Sequence, residues 1–248
     1  MSRGPIRFEQ DDDEAGRARR PWPPSPVRFR HIEIHVRDHG ATAEFLGNTL
    51  GVSTGDGSSQ GVVLAGATTL FFQPGEGSGV AHLAFNVAAG SLDHWARRLA
   101  TRTPPVPLLA DAAGRTRFTF PSWRAEAVYF RGPEGHVFEL IARDDAPPPS
   151  DERGIAGVSE IGIVGTDVRA FARRVEEDLG LAPYRGVSDD FAAMGDERGL
   201  LILVRANRDW FPENSEAAVA TFARLELETP RPARVVDPTG LVTILGRP

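Results

Sequence analysis

The patterned part of the chain opens at 29–38, FRHIEIHVRD, where Ile32, Ile34 and Val36 alternate with His31, Glu33 and His35. A period of two predicts a strand with one buried face. The segment that follows, GATAEFLGNTLGV, sets Ala43, Leu46 and Leu50 on one helical face, which predicts a helix. The same order returns at 80–90, VAHLAFNVAAG, followed by SLDHWARRLA. Here Ser91 stands at the expected N-cap, and Leu92, Trp95 and Leu99 form the apolar stripe. A third copy, VSEIGIVGTD at 158–167 with VRAFARRVEEDLG, closes on Gly180 at a C-cap position. A fourth opening, ATFARLELE at 220–228, lacks the helix. GVVLAGATTLFFQ, AEAVYFRGPEGHVFELIAR, DDFAAMGDERGLLILV and RVVDPTGLVTIL supply further strands, and the last three fold across Gly-containing turns as hairpins.

Two stretches break this pattern. Residues 1–26 combine an acidic run, Arg17 to Arg20 and a cluster of four prolines at Pro21, Pro23, Pro24 and Pro26, which predicts a loosely packed arm. Residues 144–154, DDAPPPSDERG, read as a linker. The expected domains are therefore 27–143 and 155–248. At 248 residues and 41% apolar content the chain can bury a core. A net charge of -6 argues against nucleic acid and anionic membranes as partners. It points to a small-molecule substrate and leaves a homodimer open. No signal-like or membrane-spanning apolar run occurs, so a cytoplasmic protein is expected. With no cysteine, strong metal ligands are limited to His, Asp and Glu.

The turn RGPEGHVFEL at 131–140, its echo VDPTGLVTIL at 236–245, and the openings HIEIHVRD and HLAFNV resemble the vicinal oxygen chelate superfamily of glyoxalases, bleomycin-resistance proteins and extradiol dioxygenases. The resemblance covers nearly everything from 28 to 248. It implies an α+β fold of paired βαβββ modules in two tandem domains, with the fourth module shortened. It also implies metal ligands at the first strand of each module and near the end of its last strand. Matched residue by residue, those positions hold His31, His82 and Glu139, which would suit a divalent ion, Fe(II) or Mn(II) in preference, Ni(II) or Zn(II) otherwise. Phe71 stands at the fourth ligand position. Gln73, two residues on and on the same face, is an alternative oxygen donor. In the second half the matched positions read Glu160, Arg224 and Ile244, which implies a degenerate domain without a metal and an ion pair between Glu160 and Arg224.

Other residues extend the picture. Glu33 and His35 share the face of His31, and His35, titrating near neutral pH, is the candidate acid or base. Tyr129, ten residues before Glu139, matches a tyrosine that hydrogen-bonds substrate oxygen in the dioxygenases. Trp123 and the RDWFP segment at 208–212 offer aromatic walls for a pocket that would also include Glu33, Phe71 and Gln73. Each of these residues has a plain structural alternative, as a solvated strand face or as core. The expected activity is a metal-dependent reaction on a substrate with two adjacent oxygens, by ring cleavage or by isomerase or lyase chemistry. A metal-free antibiotic-binding protein and a non-catalytic interaction module remain the alternatives.

Overall fold

A computed structural model describes residues 27–55, 61–75, 79–146, 148–149, 151 and 153–248. The arm expected at 1–26, and part of the linker, lie outside the described residues. Strand β1 (Arg28–Val36) and helix α1 (His39–Leu50) are followed by β2 (Ser53–Thr54), β3 (Val62–Ala65) and β4 (Thr68–Pro74). The second module is β5 (His82–Val87), α2 (Leu92–Ala100), β6 (Arg117–Phe120), β7 (Ala125–Arg131) and β8 (Val137–Arg143). The third is β9 (Gly157–Gly165), α3 (Val168–Leu179), β10 (Pro183–Val187), β11 (Phe191–Asp196) and β12 (Gly199–Arg205). The fourth, β13 (Ala223–Glu228), β14 (Arg234–Val236) and β15 (Val242–Arg247), has no helix, as its sequence indicates.

Local chemistry sets the helix ends. Asp38 and Asp167 cap α1 and α3 by accepting from the amides of Ala41 at 2.8 Å and Ala170 at 2.9 Å. Gly180 takes the left-handed conformation at the end of α3, φ 74°. Ser91 does stand at the N-cap of α2, but its hydroxyl donates to the carbonyl of Ala88 at 2.7 Å and makes no cap bond. Gly51 ends α1 with φ 71° at a place where a Cβ would come within 2.7 Å of the Arg98 guanidinium. That arginine, on α2, donates to the carbonyl of Thr49 at 2.8 Å and so satisfies a free end of α1.

The strands form two mixed sheets, with the orders β14-β15-β13-β1-β4-β3-β2 and β10-β11-β12-β9-β5-β8-β7-β6. β1 pairs antiparallel with β13, and β5 with β9. The first module thus pairs with the fourth, and the second with the third. The boundary expected between 27–143 and 155–248 does not separate the sheets, because each sheet draws one module from either side of it. The physical reason is that strand pairing runs through main-chain groups common to all residues, so a strand's sequence does not name its neighbour.

One apolar core holds the molecule together. It takes in residues of all three helices and of both sheets, including Phe29, Leu46, Phe85, Trp95, Phe138, Val175 and Leu225. Phe45 of α1 meets Phe130 and Phe138 of the second sheet, and α3 touches β11 and β14 of different sheets. The outer faces then differ. That of the β1 sheet carries exposed or half-buried His31, Glu33, His35, Phe71 and Arg224. That of the β5 sheet is closed by a second cluster that includes Ala84, Phe118, Trp123, Tyr129, Ile202 and Trp210.

Candidate metal centre

The middle of the β5 sheet collects the ionisable groups. Glu139 on β8 and Glu160 on β9 both register with Ala84 on β5, one from each side. Ala84 is fully buried and carries only a methyl group, so the two longer side chains can converge above it. His82 lies one step along the same face of β5. Gly162 leaves room beside it, since a Cβ there would stand 3.2 Å from the Cβ of His82 and 2.5 Å from the ring of Trp210. The floor of small residues is a consequence of register. The turn before β8 fixes this floor further, with the buried His136 accepting from the amide of Ala81 at 3.1 Å.

His82 Nε2 lies 3.4 Å from Glu139 Oε2 and 4.0 Å from Glu160 Oε2, and one ligand atom from each residue falls within 4.8 Å of the others. All three side chains are buried. Burial opposes charge on His82, but the two carboxylates more than offset it and raise its pKa to about 9. Burial and the neighbouring Glu160 raise Glu139. The Tyr129 hydroxyl, on the strand beside Glu139, is pushed well up by burial and then by both carboxylates.

Arg143, four residues after Glu139 on β8, completes the cluster. The register of β5 with β9 slips after Ala84, leaving Ser159 as an extra residue on β9, and such bulges re-aim side chains. Arg143 uses that slip: its Nε donates to Ser159 Oγ at 3.3 Å, and its Nη2 to Glu160 Oε1. The guanidinium lies over the rings of Trp123 and Tyr184, 5.5 and 5.8 Å from their centroids. Its Nη1 is buried with no acceptor among the described residues.

Aromatic residues close over the group. The connection between β12 and β13 lays Trp210 5.4 Å from the His82 ring and Phe211 5.3 Å from that of Tyr129. Arg131 ties this connection down through Glu213 at 2.6 Å.

This arrangement departs from the expected ligand set in one member. His31 lies on the other sheet, exposed, 5.8 Å ring to ring from Phe71. Glu33, His35, Phe71 and Gln73 share its sheet and do not meet His82. His35 stacks on Phe222 at 3.8 Å. The ion pair expected between Glu160 and Arg224 does not form: Glu160 bonds Arg143, and Arg224 is exposed opposite Glu33. Of the expected residues, His82, Glu139, Tyr129 and Trp123 are brought together. Glu160 takes the place given to His31, and Arg143 carried no signal beyond its position in ELIAR. The signal for Glu160 was in the sequence, because it matches His82 in the repeat, but only the crossed pairing puts the two in one site.

No known family's sequence pattern matches the chain, and the comparison with curated proteins found no match. Solved structures do match. A protein from Bacillus subtilis described as a dioxygenase superposes with TM-score 0.57 at 15% identity, over 89% of this chain and 85% of its own. Glyoxalase I from Zea mays does so with TM-score 0.54 at 16% identity, over 89% and 92%. The chain has the paired βαβββ fold of the vicinal oxygen chelate superfamily.

The residues present fit a divalent ion. One imidazole nitrogen and two carboxylate oxygens at these separations can share an ion bound at about 2.0–2.2 Å. They stand at three of the four equivalent positions of modules two and three; the repeat places Ile202 at the fourth. A set with two carboxylates is richer in oxygen than the expected pair of histidines.

Proposed function

We propose that this protein is a metal-dependent enzyme in which His82, Glu139 and Glu160 hold a divalent ion, and that it acts on a small substrate with two adjacent oxygens. The observation that carries this reading is the convergence of the three ligand atoms above Ala84. The oxygen-rich donor set favours Mn(II) or Fe(II) over softer ions. Such an ion, when bound, polarises substrate oxygens and lowers the pKa of a neighbouring hydroxyl or α-carbon proton. Tyr129, whose hydroxyl keeps its proton through neutral pH, donates a hydrogen bond to substrate oxygen. Trp123, Tyr184, Trp210 and Phe211 supply apolar walls that exclude water and suit a flat substrate. Ring cleavage and proton-transfer chemistry both suit this set.

The test is elemental analysis of the purified protein beside His82→Ala, Glu139→Ala, Glu160→Ala and His31→Ala. Near-stoichiometric metal in wild type and His31→Ala, lost from the other three, is the expected result. Equal loss in His31→Ala, or no metal after reconstitution with each ion, refutes it. The second reading, a metal-free binder of aromatic compounds, draws on the ring of aromatic walls and on the partner Glu160 already has in Arg143. It requires ligand affinity that chelators leave unchanged.

A further inference from the structure

The cluster contains a cation that its metal ligands do not require. Arg143 is 1% exposed, and its buried Nη1 has no acceptor among the described residues. A buried donor left without an acceptor is a place where a ligand group is called for. Charge gives a second and independent indication. A histidine must be neutral to ligate. The loaded site then sums two carboxylates, one guanidinium and a divalent ion to a net single positive charge, enclosed by apolar walls. A buried net charge is costly unless paired.

We infer that the substrate enters as a monoanion, with one acidic oxygen received by Arg143 Nη1 while the adjacent oxygens face the metal ligands. A 2-hydroxy or 2-oxo carboxylate, or an aromatic ortho-hydroxy acid, has this chemistry. Arg143 is placed for both duties: its Nε and Nη2 hold Ser159 and Glu160, and its Nη1 has no partner among the described residues. The rings of Trp123 and Tyr184, 5.5 and 5.8 Å from the guanidinium carbon, hold its charge in a cation–π setting. An arginine can divide its donors in this way between Glu160 and a ligand oxygen, with the nitrogens held in one rigid plane, which the single ammonium of a lysine does not reproduce. The inference rests on the metal reading, because the metal is what would hold the adjacent oxygens while Nη1 receives the acidic one.

The test uses the full chain loaded with Zn(II), which is redox-inert, with metal content measured on every sample. Calorimetry compares 2-hydroxybenzoate with its neutral isostere 2-hydroxybenzamide, for wild type, Arg143→Met and Arg143→Lys. Zinc itself favours the acid, so the quantity of interest is the change in the acid-to-amide preference between proteins. One hydrogen bond to a charged group corresponds to about a 10- to 100-fold loss of that preference in Arg143→Met. Arg143→Lys, which keeps the charge beside Glu160 and so protects the fold, is expected to lose at least part of the preference while retaining its zinc. A wild-type preference unchanged in either zinc-loaded variant overturns the inference and leaves the metal centre standing. Wild type that takes up no zinc overturns both.

Discussion

In the metal-free protein, the bond between Arg143 and Glu160 should be one of the costliest to break. The two side chains are 1% and 7% exposed. Replacing Glu160 by Gln leaves a buried guanidinium facing a neutral amide, and breaking a buried pair from one side costs about 3–5 kcal/mol. For a chain of this size that corresponds to a melting temperature lower by about 6–20 °C. Arg143→Met acts from the other side, leaving two carboxylates against a single imidazolium, and should cost a similar amount. The double variant removes both charges, so its loss should fall short of the sum of the singles by about 2–3 kcal/mol. Urea denaturation at pH 7 with a chelator present measures all four proteins, and His31→Ala, an exposed change, should stay within about 0.5 kcal/mol of wild type. Single variants each within about 1 kcal/mol of wild type, or strictly additive losses, would refute the reasoning.

Ala84→Leu should fill the floor between Glu139 and Glu160, abolish metal uptake by elemental analysis and cost about 1–3 kcal/mol from overpacking; retained metal would show that the floor is not where the ligands meet. Glu134, on the turn between β7 and β8, accepts from the amides of Arg37 at 3.0 Å and Asp38 at 2.8 Å, and although burial opposes it these bonds hold its pKa below the ordinary carboxylate value. Because the folded pKa is depressed, its contribution is complete above the unfolded carboxylate pKa and is lost as pH falls through the folded one. Glu134→Gln should therefore be less stable than wild type at pH 7 and equal to it once the carboxylate is protonated, and a constant difference in urea midpoints from pH 7 to strongly acidic pH would contradict this. Arg131→Ala releases the bond to Glu213 that ties down the Trp210 connection, so hydrogen exchange at the amides of Trp210 and Ala218 should speed up while β5 and β8 stay protected; unchanged exchange there would mean that the connection is held by its ring contacts.

The sequence by itself determined the elements and their order. Alternation at Ile32, Ile34 and Val36, the stripe of Leu92, Trp95 and Leu99, Asp38 and Asp167 at helix starts, and Gly180 at a helix end act within one turn or one strand, and local chemistry decides them. The repeat also aligned His82, Glu139 and Glu160 at equivalent places. What the tertiary structure alone decided was which modules share a sheet. His31 and His82 are indistinguishable by position in the repeat, yet one faces outward on the β1 sheet and the other is buried above Ala84. Hydrogen bonds along strand edges are the same for every residue, so partner choice came from the packing of three helices and two sheets into one core. That choice moved Glu160 from a supposed second domain into the cluster with His82 and Glu139, and it brought Arg143 to its carboxylate through a one-residue slip in β9.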